Sequence, residues 1–292
     1  MEFSLKRRQV IAGLAACAAI APGLGRAAEV LRFSAIPDED ATKLMGRFTK
    51  VAEYLSGKLG VPVEFVPVKS YPAAVVAFRN DQIQLAWFGG LSGVQARLAL
   101  PGSVAIAQGE EDAAFVSYFI ANKAVGLTES PDFPQAARGR SFTFGAKTST
   151  SGRLMPEYEI RRNTGMAPEA FFSRVGFSGD HTKTVELVQS GAYEIGAVNF
   201  TAYDDMVAKG QVDPAEVPVI WRTPSYPDYN FTLRGDADDR FGAGFTERLK
   251  AAILGMDDPE ILGAFPRSKF IPASNADYEP IEEVARQLDL LD

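Results

Sequence analysis

Residues 141–154 read Ser141, Phe142, Thr143, Phe144, Gly145, Ala146, Lys147, Thr148, Ser149, Thr150, Ser151, Gly152, Arg153, Leu154. A strand-like run ends at Gly145, hydroxyl residues fill Thr148 to Ser151, and helical spacing resumes from Arg153 to Asn163. Strand, loop and helix in that order are the repeating part of an α/β fold. The first turn of a helix carries unpaired N–H groups and a partial positive charge, so hydroxyls gathered there make an anion cradle without a formal cation. The same residue types also serve as plain helix caps, and this stretch alone leaves both readings open.

Downstream the pattern repeats. Phe171 to Phe177 reads as a strand, Thr182 to Gln189 as a helix and Ile195 to Phe200 as a strand. The loop from Phe177 to Thr184 (Ser178, Gly179, Asp180, His181, Thr182, Lys183) falls at the same end of the same sheet. Ligands of open α/β sheets lie beyond the carboxyl ends of strands, so the two loops can converge on one ligand. His181 can equally be a satisfied polar residue beside an Asp180 cap.

Upstream, strands are expected at Leu31 to Ile36, Val61 to Val68 and Ile83 to Phe88, with helices from Asp40 to Leu59 and Ser70 to Arg79. Tyr71 opens a helix, and Trp87, Phe88, Gly89 and Gly90 end a strand. By strand polarity both face the same way as the hydroxyl loop. Gly89 and Gly90 allow backbone to approach a ligand closely. Phe115 to Ala121 leaves this lobe. Val219 to Trp221, with Thr223, Pro224, Ser225, Tyr226 and Pro227, returns to it, followed by a strand from Tyr229 to Leu233 and helices near Phe245 to Leu254 and Ile281 to Leu290. Two crossings between two doubly wound α/β lobes imply a hinge. Lobe 1 is set at residues 28–118 and 226–292, and lobe 2 at 119–225.

The first 27 residues read as an export signal: Lys6, Arg7 and Arg8, then an Ala- and Gly-rich run, then Gly25 and Ala27 at the cleavage positions. Both the ordinary secretory and the twin-arginine routes fit, and the location expected is the periplasm. Leu14, Ala15, Ala16 and Cys17 imitate a lipid-attachment box, but the apolar run continues past Cys17 and a better cleavage site lies downstream. Cys17 is the one cysteine, so cleavage leaves no disulfide, thiolate metal site or cysteine nucleophile. Removing Lys6, Arg7, Arg8, Arg26 and Glu2 leaves a mature chain more acidic than the −7 of the whole, which disfavours nucleic acid and anionic membrane.

The order and spacing of Tyr71, the Ala86 to Gly90 run, Ser149 to Gly152, His181 with the segment to Asn199, and Val219 to Pro224 resemble the phosphonate-binding proteins of ABC importers. The resemblance covers most of the chain after the signal. It implies a two-lobed α/β architecture, the type 2 periplasmic binding protein fold, that closes by a hinge on a small tetrahedral oxyanion and delivers it to an inner-membrane permease. No cofactor, metal or catalytic residue is implied, and a monomer is expected. Tyr71, Ser149, Thr150, Ser151 and His181 correspond to the family's anion contacts, with the Gly89 and Gly90 backbone closing from lobe 1.

Departures from the family pattern bear on the ligand. Aminoalkylphosphonate binders hold the ligand ammonium with carboxylates, and the corresponding positions here are Thr201 and either Tyr229 or, one residue earlier, Asp228. Phe88 stands where a pocket tyrosine is expected. An ammonium-bearing ligand loses a charge-assisted bond of about 1.5–3 kcal/mol and is disfavoured. The set is rich in donors, so a doubly ionised oxyanion such as selenate fits better than a protonated phosphite or phosphonate unless Asp228 or Asp180 enters the pocket. Two other roles compete. A periplasmic protein feeding a sensor kinase would share the same pocket. A hydrolase of phosphate or sulfate esters would need metal ligands or a nucleophile elbow, and the sequence has a single histidine and no Gly-x-Ser-x-Gly.

Overall fold

The protein is described by a computed structural model covering residues 29–39 and 41–291. The export signal, its cleavage site and Cys17 lie outside the described residues.

Two mixed sheets organise the chain. The first contains β1 (Leu31–Ala35), β2 (Val63–Phe65), β3 (Leu85–Phe88), β4 (Val104–Gly109), β10 (Asn230–Leu233) and β11 (Phe270–Pro272), in the order β11-β4-β10-β3-β1-β2. The second contains β5 (Ser117–Ala121), β6 (Ser141–Phe144), β7 (Arg174–Phe177), β8 (Ile195–Asn199) and β9 (Val219–Arg222), in the order β7-β6-β8-β5-β9. In each sheet three strands run parallel, and the strand entered after a crossing, β10 or β5, lies antiparallel to its neighbours.

The local chemistry sets the strand lengths. The ladder expected from Val61 to Val68 shrinks to Val63–Phe65, because Pro62 and Pro67 lack the N–H that a longer ladder needs. The strand expected from Phe171 is only Arg174–Phe177. Pro168 starts a helical turn, Pro168–Phe171, and Phe172 stacks on Phe142 at 4.4 Å, so the two aromatics go to the core instead. Strands β4 and β11 and the helices Gly90–Ala99 and Phe200–Ala208 were not expected from the sequence. In β5 the side chains alternate by the strand period: Phe119 and Ala121 join the core on one face, Tyr118 and Ile120 the core on the other.

The two crossings run side by side. Phe115 and Tyr226 exchange backbone hydrogen bonds at 2.8 and 3.0 Å, and Thr223 is bonded to Ser117 through both backbone and hydroxyl. β5 starts at Ser117, so Ser117 and Tyr118 pair within the second sheet. Behind the crossings, Arg267 makes a two-point ion pair with Asp112 at 2.8 Å, with both side chains buried. The guanidinium lies over the rings of Tyr229, Phe115 and Trp87 at 5.0, 5.3 and 5.9 Å.

Candidate functional site

The carboxyl ends of the parallel strands of both sheets face one another, and the first residues of four helices meet there. The helices are Tyr71–Arg79, Gly90–Ala99, His181–Gln189, and the helix that begins with the turn Thr150–Leu154 and continues as Met155–Thr164. Their N-caps are Ser70, Gly89, Asp180 and Ser149. Each brings a partial positive charge to the same volume.

The hydroxyl run forms a wide first turn, in which the Leu154 N–H donates to the Ser149 carbonyl, five residues back, at 3.0 Å. Such turns recur at functional sites because they free backbone and side-chain groups from the regular ladder. Ser149 Oγ accepts from the Gly152 N–H at 2.9 Å. A side chain at Gly152 would put its Cβ 3.0 Å from Ser149 Oγ and 3.1 Å from His181 Cε1, so glycine is what lets the two loops touch.

Tyr71, Ser149, Thr150, Ser151, His181 and Asp228 are each at most 2 % exposed. Their bonding is incomplete in a consistent way. Tyr71 Oη, His181 Nε2 and Asp228 Oδ2 are buried without a hydrogen-bond partner. An orphaned polar atom in a protein interior costs about 1–3 kcal/mol, and three in one cluster mark a place built for another molecule's polar groups.

His181 Nδ1 accepts from the Asn199 N–H at 3.3 Å, and burial lowers its pKa to about 3, so the ring is neutral. Burial raises the Tyr71 hydroxyl well above its ordinary pKa, with Asp38 and Asp228 adding to the effect, so it stays a donor. Burial also pushes the Asp228 carboxyl up to about 7. Asp228 Oδ1 accepts from the Gly90 N–H at 2.9 Å, and the Thr150 and Ser151 hydroxyls beside it work against the rise.

The remaining residues singled out from the sequence fall elsewhere or take other parts. Gly89 is an N-cap whose Cβ would lie 3.3 Å from both Asp228 Oδ1 and Thr150 Oγ1. The amides expected to cover a ligand are partly committed: Gly90 donates to Asp228, and Leu91 to Thr150 Oγ1 at 2.9 Å. Phe88 is a core residue set edge-on to Phe78 at 5.7 Å. Tyr229 forms a wall: its hydroxyl accepts from Asn199 Nδ2 at 2.9 Å, and its ring stacks on Trp87 at 5.5 Å. Thr201 lies behind that wall, 3.4 Å from Arg267 Nη1. It lines a cavity of about 10 Å³ with Asp38, Glu39, Asn199 and Arg267, room for about one water. Asp180 caps its helix by accepting from the Lys183 N–H at 2.6 Å.

Asp38 and Asn199 were not singled out from the sequence. Asp38 accepts the His181 N–H through its carbonyl at 3.0 Å, and burial followed by the neighbouring Glu39 pushes its carboxyl up. Asn199 joins His181 to Tyr229. Both residues sit at or just beyond the carboxyl end of a strand, β1 or β8, where the rule applied to the other loops would have found them. Between the lobes a cleft of about 540 Å³ is lined by Tyr71, Lys69, Gly145, Lys147, Phe177 and Asp180, and shares Tyr71 with the cluster. Among the described residues no group of three or more His, Cys, Asp or Glu could hold a metal ion.

Three comparisons bear on this geometry. A family model described as "ABC transporter, phosphonate, periplasmic substrate-binding protein" matches residues 33–278. The chain is 40% identical over 269 residues, 89% of its length and 90% of the relative's, to a Prochlorococcus marinus protein described as a probable ABC transporter phosphite binding protein, PhnD1. The solved structure of PhnD1 in complex with methylphosphonate superposes with a TM-score of 0.85, covering 90% of this chain and 99% of that one. A binding protein component of an ABC phosphonate transporter from Pseudomonas aeruginosa, 20% identical, shares the fold with a TM-score of 0.76 over 88% of this chain and 85% of that one.

Proposed function

The chain belongs to the phosphonate periplasmic substrate-binding proteins of ABC transporters, and on that premise we propose that its ligand is a small phosphorus oxyanion carrying one P–OH group, phosphite or methylphosphonate. It is the binding component of an importer, capturing a small oxyanion for a membrane permease.

The observation that carries the choice of ligand is Asp228 Oδ2, an acceptor without a partner in a cluster otherwise made of donors. Tyr71, the hydroxyls of Ser149, Thr150 and Ser151, and His181 Nε2 supply hydrogens to ionised oxygens. Asp228 supplies the one site that takes a hydrogen from the ligand. Burial raises the Asp228 carboxyl to about 7, so near neutral pH it is poised to share a proton with a ligand and is not fixed as an anion. Selenate or sulfate would require that carboxyl to be protonated first, whereas hydrogen phosphite or a phosphonate monoanion brings its own proton. With Asp228 present, the balance moves from a doubly ionised ligand to a protonated one. The relatives named as binding phosphite and methylphosphonate point the same way.

Size narrows the ligand further. Beyond Tyr229 and Asn199 the space is about 10 Å³, room for about one water and too little for an aminoalkyl tail. A ligand without a cationic tail fits these walls. Capture is proposed to proceed by closure of the two lobes about the paired crossings, with the oxyanion docking first on the Ser149 to Ser151 turn and Tyr71 closing over it. A monomer exported to the periplasm suffices for this role.

Calorimetric titration of the mature protein, freed of carried-over ligand by unfolding and refolding, tests the reading. Phosphite and methylphosphonate should bind one to one and at least about tenfold more tightly than selenate, sulfate or 2-aminoethylphosphonate. Selenate binding as tightly as phosphite would sink the shared-proton argument, and no binding by any of the five would sink the oxyanion reading.

A further inference from the structure

We propose that Thr150 is the residue through which ligand capture is coupled to lobe closure. The inference rests on the reading that the lobes open and close around the ligand, and it concerns how the ligand is sensed rather than which ligand it is.

The three hydroxyl residues of the cradle are bonded differently. Ser149 Oγ accepts from Gly152 N–H inside its own turn, and the Ser151 carbonyl accepts from Ser117 Oγ at 2.7 Å inside its own lobe. Thr150 Oγ1 instead accepts from the Leu91 N–H at 2.9 Å, across the cleft. Leu91 is the second residue of the helix Gly90–Ala99, so its N–H has no partner within the helix and must find one outside. The N–H before it, on Gly90, is taken by Asp228 of the same lobe. Thr150 is the group from the opposite lobe that completes this helix end when the lobes meet.

Accepting from Leu91 has a consequence for the other side of the hydroxyl. A threonine carries one hydroxyl hydrogen, and with Leu91 held at an acceptor position that hydrogen is left for a ligand oxygen in the pocket. An open lobe leaves the same hydroxyl free to rotate. Closure therefore directs the donor, and a bound oxyanion that accepts from it favours the closed state by the same free energy. The approach is close enough that any side chain on Gly89 would press on Thr150 Oγ1 and Asp228 Oδ1 together, at 3.3 Å each.

Small-angle X-ray scattering of the mature protein with and without saturating methylphosphonate, paired with calorimetry, separates coupling from simple contact. Wild type should compact on saturation. Ser149→Ala should bind more weakly yet compact fully once saturated. Thr150→Val, nearly isosteric, should bind at least about tenfold more weakly and show less than about half the compaction at saturation. Thr150→Ser should restore both. If the valine variant does not fold, Gly89→Ala carries the same expectation of impaired compaction. Full compaction of Thr150→Val at saturation, or a folded Thr150→Ser that stays open, overturns the coupling alone. A wild type that binds methylphosphonate without compacting overturns the coupling and the hinge together, while absence of binding overturns the ligand assignment instead.

Discussion

The main-chain N–H of Asn199 points at Nδ1 of His181 from 3.3 Å, and that contact decides which ring nitrogen carries the hydrogen. With Nδ1 accepting, the hydrogen is on Nε2, the nitrogen buried without a partner. His181 is the one histidine of the chain, so nitrogen NMR of protein prepared without a histidine tag reads it alone. The expected spectrum is the Nε2–H tautomer, unchanged down to about pH 5. A ring that titrates near 6.5 would contradict the neutral-donor role.

The same burial sets an acid limit on stability. The His181 pKa falls from 6.5 to about 3 on folding, so below 6.5 the unfolded chain binds a proton that the folded one does not. The stability contributed by the neutral ring is complete above about pH 6.5 and is lost as pH falls toward 3, at about 1.4 kcal/mol per unit. The raised carboxyls of Asp38 and Asp228 act in the opposite sense in both proteins, so the slope is read as a difference: in urea denaturation from pH 7 to 5, wild type should lose about 1.4 kcal/mol per unit relative to His181→Gln below pH 6.5.

Asp228 makes a different pH prediction, one of affinity. The complex holds one proton between Asp228 and the ligand. Above the second pKa of phosphite or methylphosphonate both free partners have lost it, and binding must take it up. Affinity should then fall by up to about tenfold per pH unit on the alkaline side, and Asp228→Asn should flatten that profile. The variant should also lose at least about tenfold for phosphite while gaining on selenate, which calorimetry at pH 7 and 9 would read.

Tyr71→Phe should separate binding from stability. The hydroxyl it removes is buried and unpartnered among the protein's own groups, so thermal melting without ligand should hold steady or rise slightly. Phosphite affinity should drop by about 1–3 kcal/mol, roughly ten- to a hundredfold. A large loss of melting temperature without ligand would mean that the hydroxyl has a structural partner.

Arg267 and Asp112 form the buried pair at the crossings. Arg267→Met alone leaves a buried carboxylate without its cation and should cost about 3–5 kcal/mol in denaturation, whereas the double change with Asp112→Asn should recover much of it. Equal losses for the single and double variants would show that packing over Trp87, Phe115 and Tyr229, and not charge, is what the arginine provides.

The sequence carried the alternation of strands and helices, and with it the loops at which Tyr71, Ser149, Thr150, Ser151 and His181 meet. Those signals are local: hydroxyls before a helical period, a glycine after a strand. It did not carry what depends on three-dimensional neighbours. Phe88 was placed in the pocket by the family pattern, where a tyrosine is expected, but a strand end buried on both faces sends it into the core against Phe78. Asn199 and Asp38 are ordinary polar residues at strand ends until His181 is brought between them. β4 was passed over together with the helix Gly90–Ala99 before it, and its place is fixed by pairing with β10 and β11.

Four helix ends meet at the cluster, and none of Tyr71, Ser149, Thr150, Ser151 and His181 is a lysine or arginine. Mobile ions in the medium weaken attraction between charges that water can reach, and much less between a buried anion and peptide dipoles fixed around it. The protein should therefore hold its oxyanion about as firmly in concentrated as in dilute salt. Chloride, a single spherical charge with no hydrogen to give to Asp228 and no set of oxygens to spread over the hydroxyls, should compete poorly.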